Sequence, residues 1–327
     1  MTNSWKVRQF DFNNAFFNGD LHETVHMVQP KGYELGFGLV YKLEKALYRL
    51  KQVPHAWYLK LSSTLHQFGF KSSTSDSCLF VHHSSTSTIY LFSYADNILV
   101  TGPCAEEIEG LIRQLHVVFT LKDLGEMSFF FGVEVVRSSP NALLLKQSKY
   151  IKELLGRANM RDSKLVPTPM LSSPKLTATP SSPFHNPSLY RSVVGGLQYT
   201  TITHPEIAYS VSKVSQYMHA PTDKHWKAFK RILHFLARTI NMGLQLHKSD
   251  SLRVMNFCDS DWATDTDDCK SVSGYCVFFG SNLITWSSRK KQIFSRSSTE
   301  AEFQALADAM TDTIWLQKTA TRDASTT

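Results

Sequence analysis

Asp96 and Asn97 form the one short polar step in the stretch 88–102, between two runs of β-branched and aromatic residues. That pattern predicts a tight hairpin with Asp96 and Asn97 at its tip. A carboxylate placed there can reach a ligand that the apolar strands cannot. The plainer account is local, because Asp and Asn favour turns by bonding nearby backbone. Other acids have a comparable setting. Asp11 ends a strand-like run at 5–12, Asp259 follows the run 252–258, and Glu302 stands near the start of a helical segment.

Three segments extend this beyond a single turn. Residues 7–21, then 45–58, then the hairpin 88–102 resemble, in that order, motifs A, B and C of the reverse transcriptase in copia-type LTR retrotransposon Pol polyproteins. The resemblance runs from about Trp5 to about Trp315. It implies an RNA-directed DNA polymerase that holds two magnesium (Mg2+) ions between carboxylates of separate strands. One ion activates the primer 3′ hydroxyl and the other binds the incoming triphosphate. By resemblance Asp11 and Asp96 are metal ligands and catalytic acids, with Asn97 beside them. The Phe12 carbonyl faces the metal, and Phe16 screens the sugar 2′ position. Plain core packing is the alternative for Phe16. The implied partners are an RNA template, a DNA primer, an RNA–DNA hybrid and deoxynucleoside triphosphates.

The chain also departs from the family pattern. Arg49 stands where the family has a glycine that lets backbone approach the nucleotide. Asn97 stands where the family has a second aspartate, and a neutral amide is a weaker magnesium ligand than a carboxylate. His55 and His204 differ as well. Gly→Arg, Arg→His and Asp→Asn can each arise from one G-to-A change, so a decaying, catalytically impaired copy is expected. A non-catalytic nucleic-acid-binding remnant is the alternative.

The last segment resembles ribonuclease H of the same polyproteins, which cleaves RNA in a hybrid with metals held by acidic residues. By position Asp259 matches the first acid and Glu302 the second. Glu300 and Glu302 can also be helix-start carboxylates that favour the macrodipole. The third and fourth acids are expected beyond residue 315, and the fingers before residue 1, so a truncated fragment is expected.

The elements that must position these groups follow from periodicity. Trp57, Leu61 and Leu65 form one helix face, and Ile108, Leu111, Ile112, Leu115 and Phe119 another. A strand over Phe129 to Val136 is expected to close the palm. Tyr150, Ile151, Leu154 and Leu155 point inward from a short helix, and prolines with serines fill 166–187 as a linker. Ile207, Val211, Val214 and Met218 line a further helix. The next buries Trp226, Phe229, Leu233 and Leu236 and carries Lys227, Lys230 and Arg231 outward. That basic face is either simply solvated or a contact for nucleic-acid phosphates. Phe303, Leu306, Met310 and Ile314 give the last helix its apolar stripe. The expected fold is α+β: a reverse-transcriptase palm over 1–138, a thumb-like element over 139–165, the linker over 166–187, a helical connection over 188–248 and a partial ribonuclease H-like α/β domain over 249–327.

Composition agrees with such a chain. At 327 residues it is long enough for two or three modules. Its 42% apolar content supplies cores, and 19% charged residues argue against wholesale disorder. The formal charge of +7 leans toward polyanions. No long apolar run marks a membrane span and the N-terminus lacks a signal-peptide core, so an intracellular place, cytoplasm or nucleus, is expected. Five scattered cysteines fit reduced thiols and give no zinc spacing.

Overall fold

The computed structural model describes residues 5–21, 23–48, 50–84, 87–161, 164–178 and 181–322. Its contacts divide the chain into two compact units, built on Asn3–Met127 and Ser128–Gln317.

The first unit contains β1 (Val7–Phe12), a hairpin of β2 (His26–Val28) and β3 (Val40–Lys42), and α1 (Val53–Gln67). Then come β4 (Lys71–Ser72), β5 (Leu79–His83), β6 (Thr88–Tyr94), β7 (Asn97–Thr101), α2 (Ala105–Val118) and β8 (Leu121–Glu126). Six strands make one antiparallel sheet in the order β4-β5-β6-β7-β1-β8. Phe10 and Phe12, Ile89 and Leu91, and Ile98 and Val100 alternate onto one face, as period-2 strands require. With Trp57, Leu61 and Leu65 of α1 and Ile108, Leu111 and Leu115 of α2 they form a single apolar cluster. The two helices thus cover one face of the sheet. Asp11 and Asn97, each beside a buried strand residue, fall on the other.

The second unit opens with β9 (Phe129–Phe130), β10 (Val133–Ser139), β11 (Ala142–Lys146) and α3 (Ser148–Arg157). Helices α4 (Pro187–Thr200), α5 (Ala208–Ser215) and α6 (Asp223–Arg238) follow, then β12 (Leu244–His247). It ends with β13 (Val254–Asp261), β14 (Val272–Phe279), β15 (Asn282–Lys290) and α7 (Ser298–Arg322). One sheet has the order β12-β11-β10-β9 and another β13-β14-β15. A Cβ at Gly243 would collide with the Leu145 carbonyl, so only glycine lets β12 come up beside β11. Among the described residues no helix is long and apolar enough to cross a membrane.

Three expectations are corrected here. The run Phe129 to Val136 does not close the palm sheet. Phe131 (φ 46°) and Gly132 (φ 73°) break it into β9 and β10, which pair with each other, and β10 pairs on its other side with β11. The proline-rich stretch 166–187 is not an open linker. Val166, Met170, Leu176 and the buried Phe184 pack against the helical core of Ile151, Tyr190, Val214, Phe229 and Leu233. Its carbonyls are also used: Tyr217 Oη donates to Leu176 O at 2.9 Å, and His225 Nε2 lies 3.0 Å from Thr177 O. Finally, Phe303, Leu306, Met310 and Ile314 of α7 are exposed, while Ala301, Ala305 and Ala309 are fully buried. Asn256 of β13 bonds Thr313, and Tyr275 and Thr285 both bond Asp312. The helix therefore lies on its sheet through its small residues, which permit close approach.

A buried ion cluster joins α5 to the last sheet. The Asp265 side chain is 0% exposed and pairs with Lys213 at 2.7 Å and Lys290 at 3.4 Å. Asp267 N–H adds a bond at 3.0 Å. Burial alone would raise the carboxyl pKa, but the Lys213 hydrogen bond, the Asp267 amide and both lysine charges outweigh it and hold it down at about 2.

Candidate active site

Asp11 and Asn97 are register partners across β1 and β7, and Lys122 of β8 lies opposite Asp11 on the other side. Strands β6 and β7 pair as far as Tyr94 and Asn97. The hairpin tip is thus Ala95-Asp96, one residue earlier than expected, and Asn97 is the first residue of a strand. Ala95 takes φ 54°, the positive value that two-residue hairpins need and that glycine would adopt without cost.

The core below holds this tip. Phe12 N–H donates to the Asp96 carbonyl at 2.7 Å, and Trp57 Nε1 donates to the Ala95 carbonyl at 2.7 Å. Trp57 is 2% exposed and sits edge-on to Phe12 and Phe119. Gln9 Nε2 donates to Asn97 Oδ1 at 3.2 Å, and Asn97 Nδ2 donates to Asp96 Oδ1 at 3.0 Å. Both ends of the Asn97 amide are therefore committed to neighbours.

The two acids feel each other. Burial raises the Asp11 pKa first, the charge of Asp96 raises it further, and Lys122 opposes both. A divalent cation would relieve this like-charge strain. Among the described residues no group of three His, Cys, Asp or Glu side chains could hold a metal ion, so the acids here are a pair. Because its folded pKa is raised, the native state binds more protons than the unfolded chain. Ionising Asp11 therefore lowers stability as pH climbs from the unfolded carboxylate value through the raised one. Asp11→Asn should raise the urea midpoint at about pH 7 and leave it nearly unchanged at about pH 3, where the Asp11 carboxyl is protonated. An equal effect at both pH values would refute the charge account.

Of the other expected residues, Phe12 is a core side chain, 2% exposed. Phe16 lies on the one-turn segment Ala15–Asn18, half-buried, with its ring 4.9 Å from Tyr48 at 85°. It also packs against the apolar core of the first unit. Arg49 lies outside the described residues. Gln9, Lys122 and the indole bond of Trp57 were not anticipated. Gln9 was within reach, being two residues before Asp11 on the same strand face. Lys122 was not, because its register to Asp11 is set by a distant strand.

Within the second unit, Asp259 is exposed on β13, paired opposite Gly274, and accepts the neighbouring Ser260 N–H at 2.9 Å. Glu302 is exposed on α7. No hydrogen-bonding neighbour common to the two acids occurs among the described residues. Glu300 works at the helix start, accepting Arg296 N–H at 2.8 Å while its own N–H donates to Ser297 Oγ at 3.1 Å. Lys227, Lys230 and Arg231 of α6 line a cleft of about 940 Å³ with residues from the proline-rich stretch.

Comparison with known proteins places this geometry in a lineage. The family model for reverse transcriptase (RNA-dependent DNA polymerase) matches residues 1–172. The chain is 42% identical, over 96% of its length, to the retrovirus-related Pol polyprotein from transposon RE2 of Arabidopsis thaliana, and covers 22% of it. It is 35% identical over 96% of its length to the corresponding polyprotein from transposon TNT 1-94 of Nicotiana tabacum, covering 24%. An uncharacterized mitochondrial protein of Arabidopsis thaliana is 41% identical over 72% of this chain, which covers 98% of that protein. The chain thus spans about a fifth to a quarter of the length of the polyproteins it matches. On these matches the chain belongs to the reverse transcriptase family of copia-type retrotransposon Pol polyproteins.

Proposed function

We propose that residues 5–126 are the palm of an RNA-directed DNA polymerase, with Asp11 and Asp96 as its catalytic carboxylates and a rate depressed by Asn97. The carrying observation is that Asp11 on β1 and Asp96 at the β6–β7 turn, whose carbonyl accepts Phe12 N–H at 2.7 Å, share one electrostatic site in which Asp96 raises the pKa of Asp11. Such a pair fits one magnesium ion. Asn97 could give a second ion only a neutral oxygen that already accepts from Gln9. Bound metal supplies Lewis-acid chemistry, lowering the pKa of a primer hydroxyl and offsetting triphosphate charge.

The chain's own residues do the positioning. Asp11 and Asp96 would hold the cation, and Asn97 Nδ2, donating to Asp96 Oδ1 at 3.0 Å, orients the Asp96 carboxylate. Trp57 and Phe12 fix the backbone of the tip. Lys122, beside Asp11, attracts phosphate oxygens. Phe16, braced by Tyr48, limits space at the sugar. RNA template, DNA primer and deoxynucleoside triphosphates are the substrates of this reading.

Residues 252–317 are assigned ribonuclease H ancestry, with Asp259 and Glu302 as its metal acids. The antiparallel order β13-β14-β15 followed by α7 supports that assignment. No cleavage step is proposed there.

Primer extension on an RNA template tests the palm. The chain should show weak, magnesium-dependent extension that Asp11→Asn abolishes, and magnesium should raise the melting temperature of the parent but not of the variant. Extension that survives Asp11→Asn would overturn the assignment. Salt-sensitive binding of an RNA–DNA hybrid with no extension would favour a non-catalytic binder, the reading that the neutral Asn97 supports.

A further inference from the structure

The cleft beside α6 is built for more than a solvated basic face. Lys224, Lys227 and Arg231 follow one another at helical spacing along one side of α6, and Lys230 joins them. Successive cations in that row rise by about 4.5–6 Å along the helix axis. Among the described residues none of the four has an acidic partner. The acids that share the lining are already engaged: Asp265 with Lys213 and Lys290, and Glu206 with His204 at 2.8 Å. Arg231 Nε is buried with no hydrogen-bond partner among the described residues, and Nη2 of the same side chain donates to Thr168 Oγ1 at 2.7 Å. Unmatched cations on the wall of a cleft call for an anion.

The rest of the lining narrows the class of anion. Pro169, Met170, Leu171 and Ala228 make part of the wall apolar. Tyr209 also lines the cleft and is 51% exposed, a ring face open for stacking. The proline-rich stretch forms the roof, tied down at Thr168, Leu176 and Thr177. A volume of about 940 Å³ under a fixed roof admits a single strand and excludes a duplex.

We propose that this cleft binds a short single-stranded segment of nucleic acid, with phosphates on the α6 cations and a base stacked on Tyr209. A row of cations with an aromatic platform is the usual way to hold a single strand without reading its sequence. The proposal rests on the reading of the chain as a handler of nucleic acid. It differs from phosphate contact with a template–primer duplex on an open helix face.

Fluorescence anisotropy of the full chain with a labelled oligouridine RNA tests it, with an unlabelled RNA–DNA hybrid duplex as competitor. Tyr209→Ala, at an exposed site, should weaken oligouridine binding roughly 5- to 100-fold. Lys227→Glu should weaken it and reduce the salt slope by about one. The duplex should compete poorly, and Tyr209→Ala should leave extension of a pre-annealed primer unchanged. Unchanged oligouridine affinity in Tyr209→Ala, or full competition by the duplex, would overturn the cleft assignment. Either result leaves the palm to be judged separately by the effect of Asp11→Asn on extension.

Discussion

Replacing Asn97 with aspartate raises magnesium-dependent primer extension on an RNA template by about 10²–10³-fold, the usual scale for one preorganised electrostatic group. The site has two carboxylates, and position 97 is the register partner of Asp11. A carboxylate there keeps its bond from Gln9 and loses the amide that now donates to Asp96. Three like charges would then converge, pushing the Asp11 pKa further up and lowering stability when no metal is bound. The same crowding strengthens cation binding. Asn97→Asp should therefore melt below the parent in chelator and gain more than the parent on adding magnesium. Equal extension by parent and variant at saturating magnesium would show that position 97 does not limit the reaction.

Asp265→Ala should cost about 3–5 kcal/mol in urea unfolding, as breaking one member of a buried ion pair does. The loss comes less from the missing attraction than from leaving Lys213 without a countercharge where the carboxylate was fully buried, while Lys290 keeps Asp268 at 3.0 Å. The parent's pH profile carries the same signature. With its folded pKa depressed to about 2, Asp265 contributes stability that is complete above the unfolded carboxylate value. That contribution is lost as pH falls from about 4 to about 2. The alanine variant should lack that acid limb. A variant within 1 kcal/mol of the parent, with the limb intact, would show that the cluster is not holding α5 to the sheet.

What the sequence revealed depended on whether a signal was local. Helices α1, α2, α3 and α6 bury Leu61, Leu111, Leu154 and Leu233 as their periodicity implies. The β6–β7 hairpin was plain from its two apolar runs, yet its tip lies one residue early. Pairing of Tyr94 with Asn97 and the Trp57 bond to the Ala95 carbonyl decide the turn, and neither is visible in turn propensity. In α7 the large apolar residues suggested the buried face, but packing on a sheet selected the alanine row instead. Prolines at 166–187 suggested a linker, while the apolar residues between them turned that stretch into a roof. Lys213 and Asp265 are remote in sequence and belong to no pattern, so their pairing had no signal at all. The nearness of Asp11 to Asp96 was expected from motif order, whereas that of Lys122 needed the register of β8.

The place of β1 between β7 and β8 has a consequence for how the chain is made. Within this unit the strand is made before both of its neighbours and has no partner until residues 97–126 have followed. At about 5–20 residues per second, the roughly 90 positions between Asp11 and Asn97 take on the order of 4–18 s to synthesise. Phe10 and Phe12 wait in the open during that time, while β5, β6 and β7 can zip as a local meander. The pairings of the first strand span the longest stretches of chain in this sheet and so carry its highest loop-entropy cost. Asp11 is thus translated before both strands that flank it, and its place opposite Asn97 and Lys122 waits on the chain that follows.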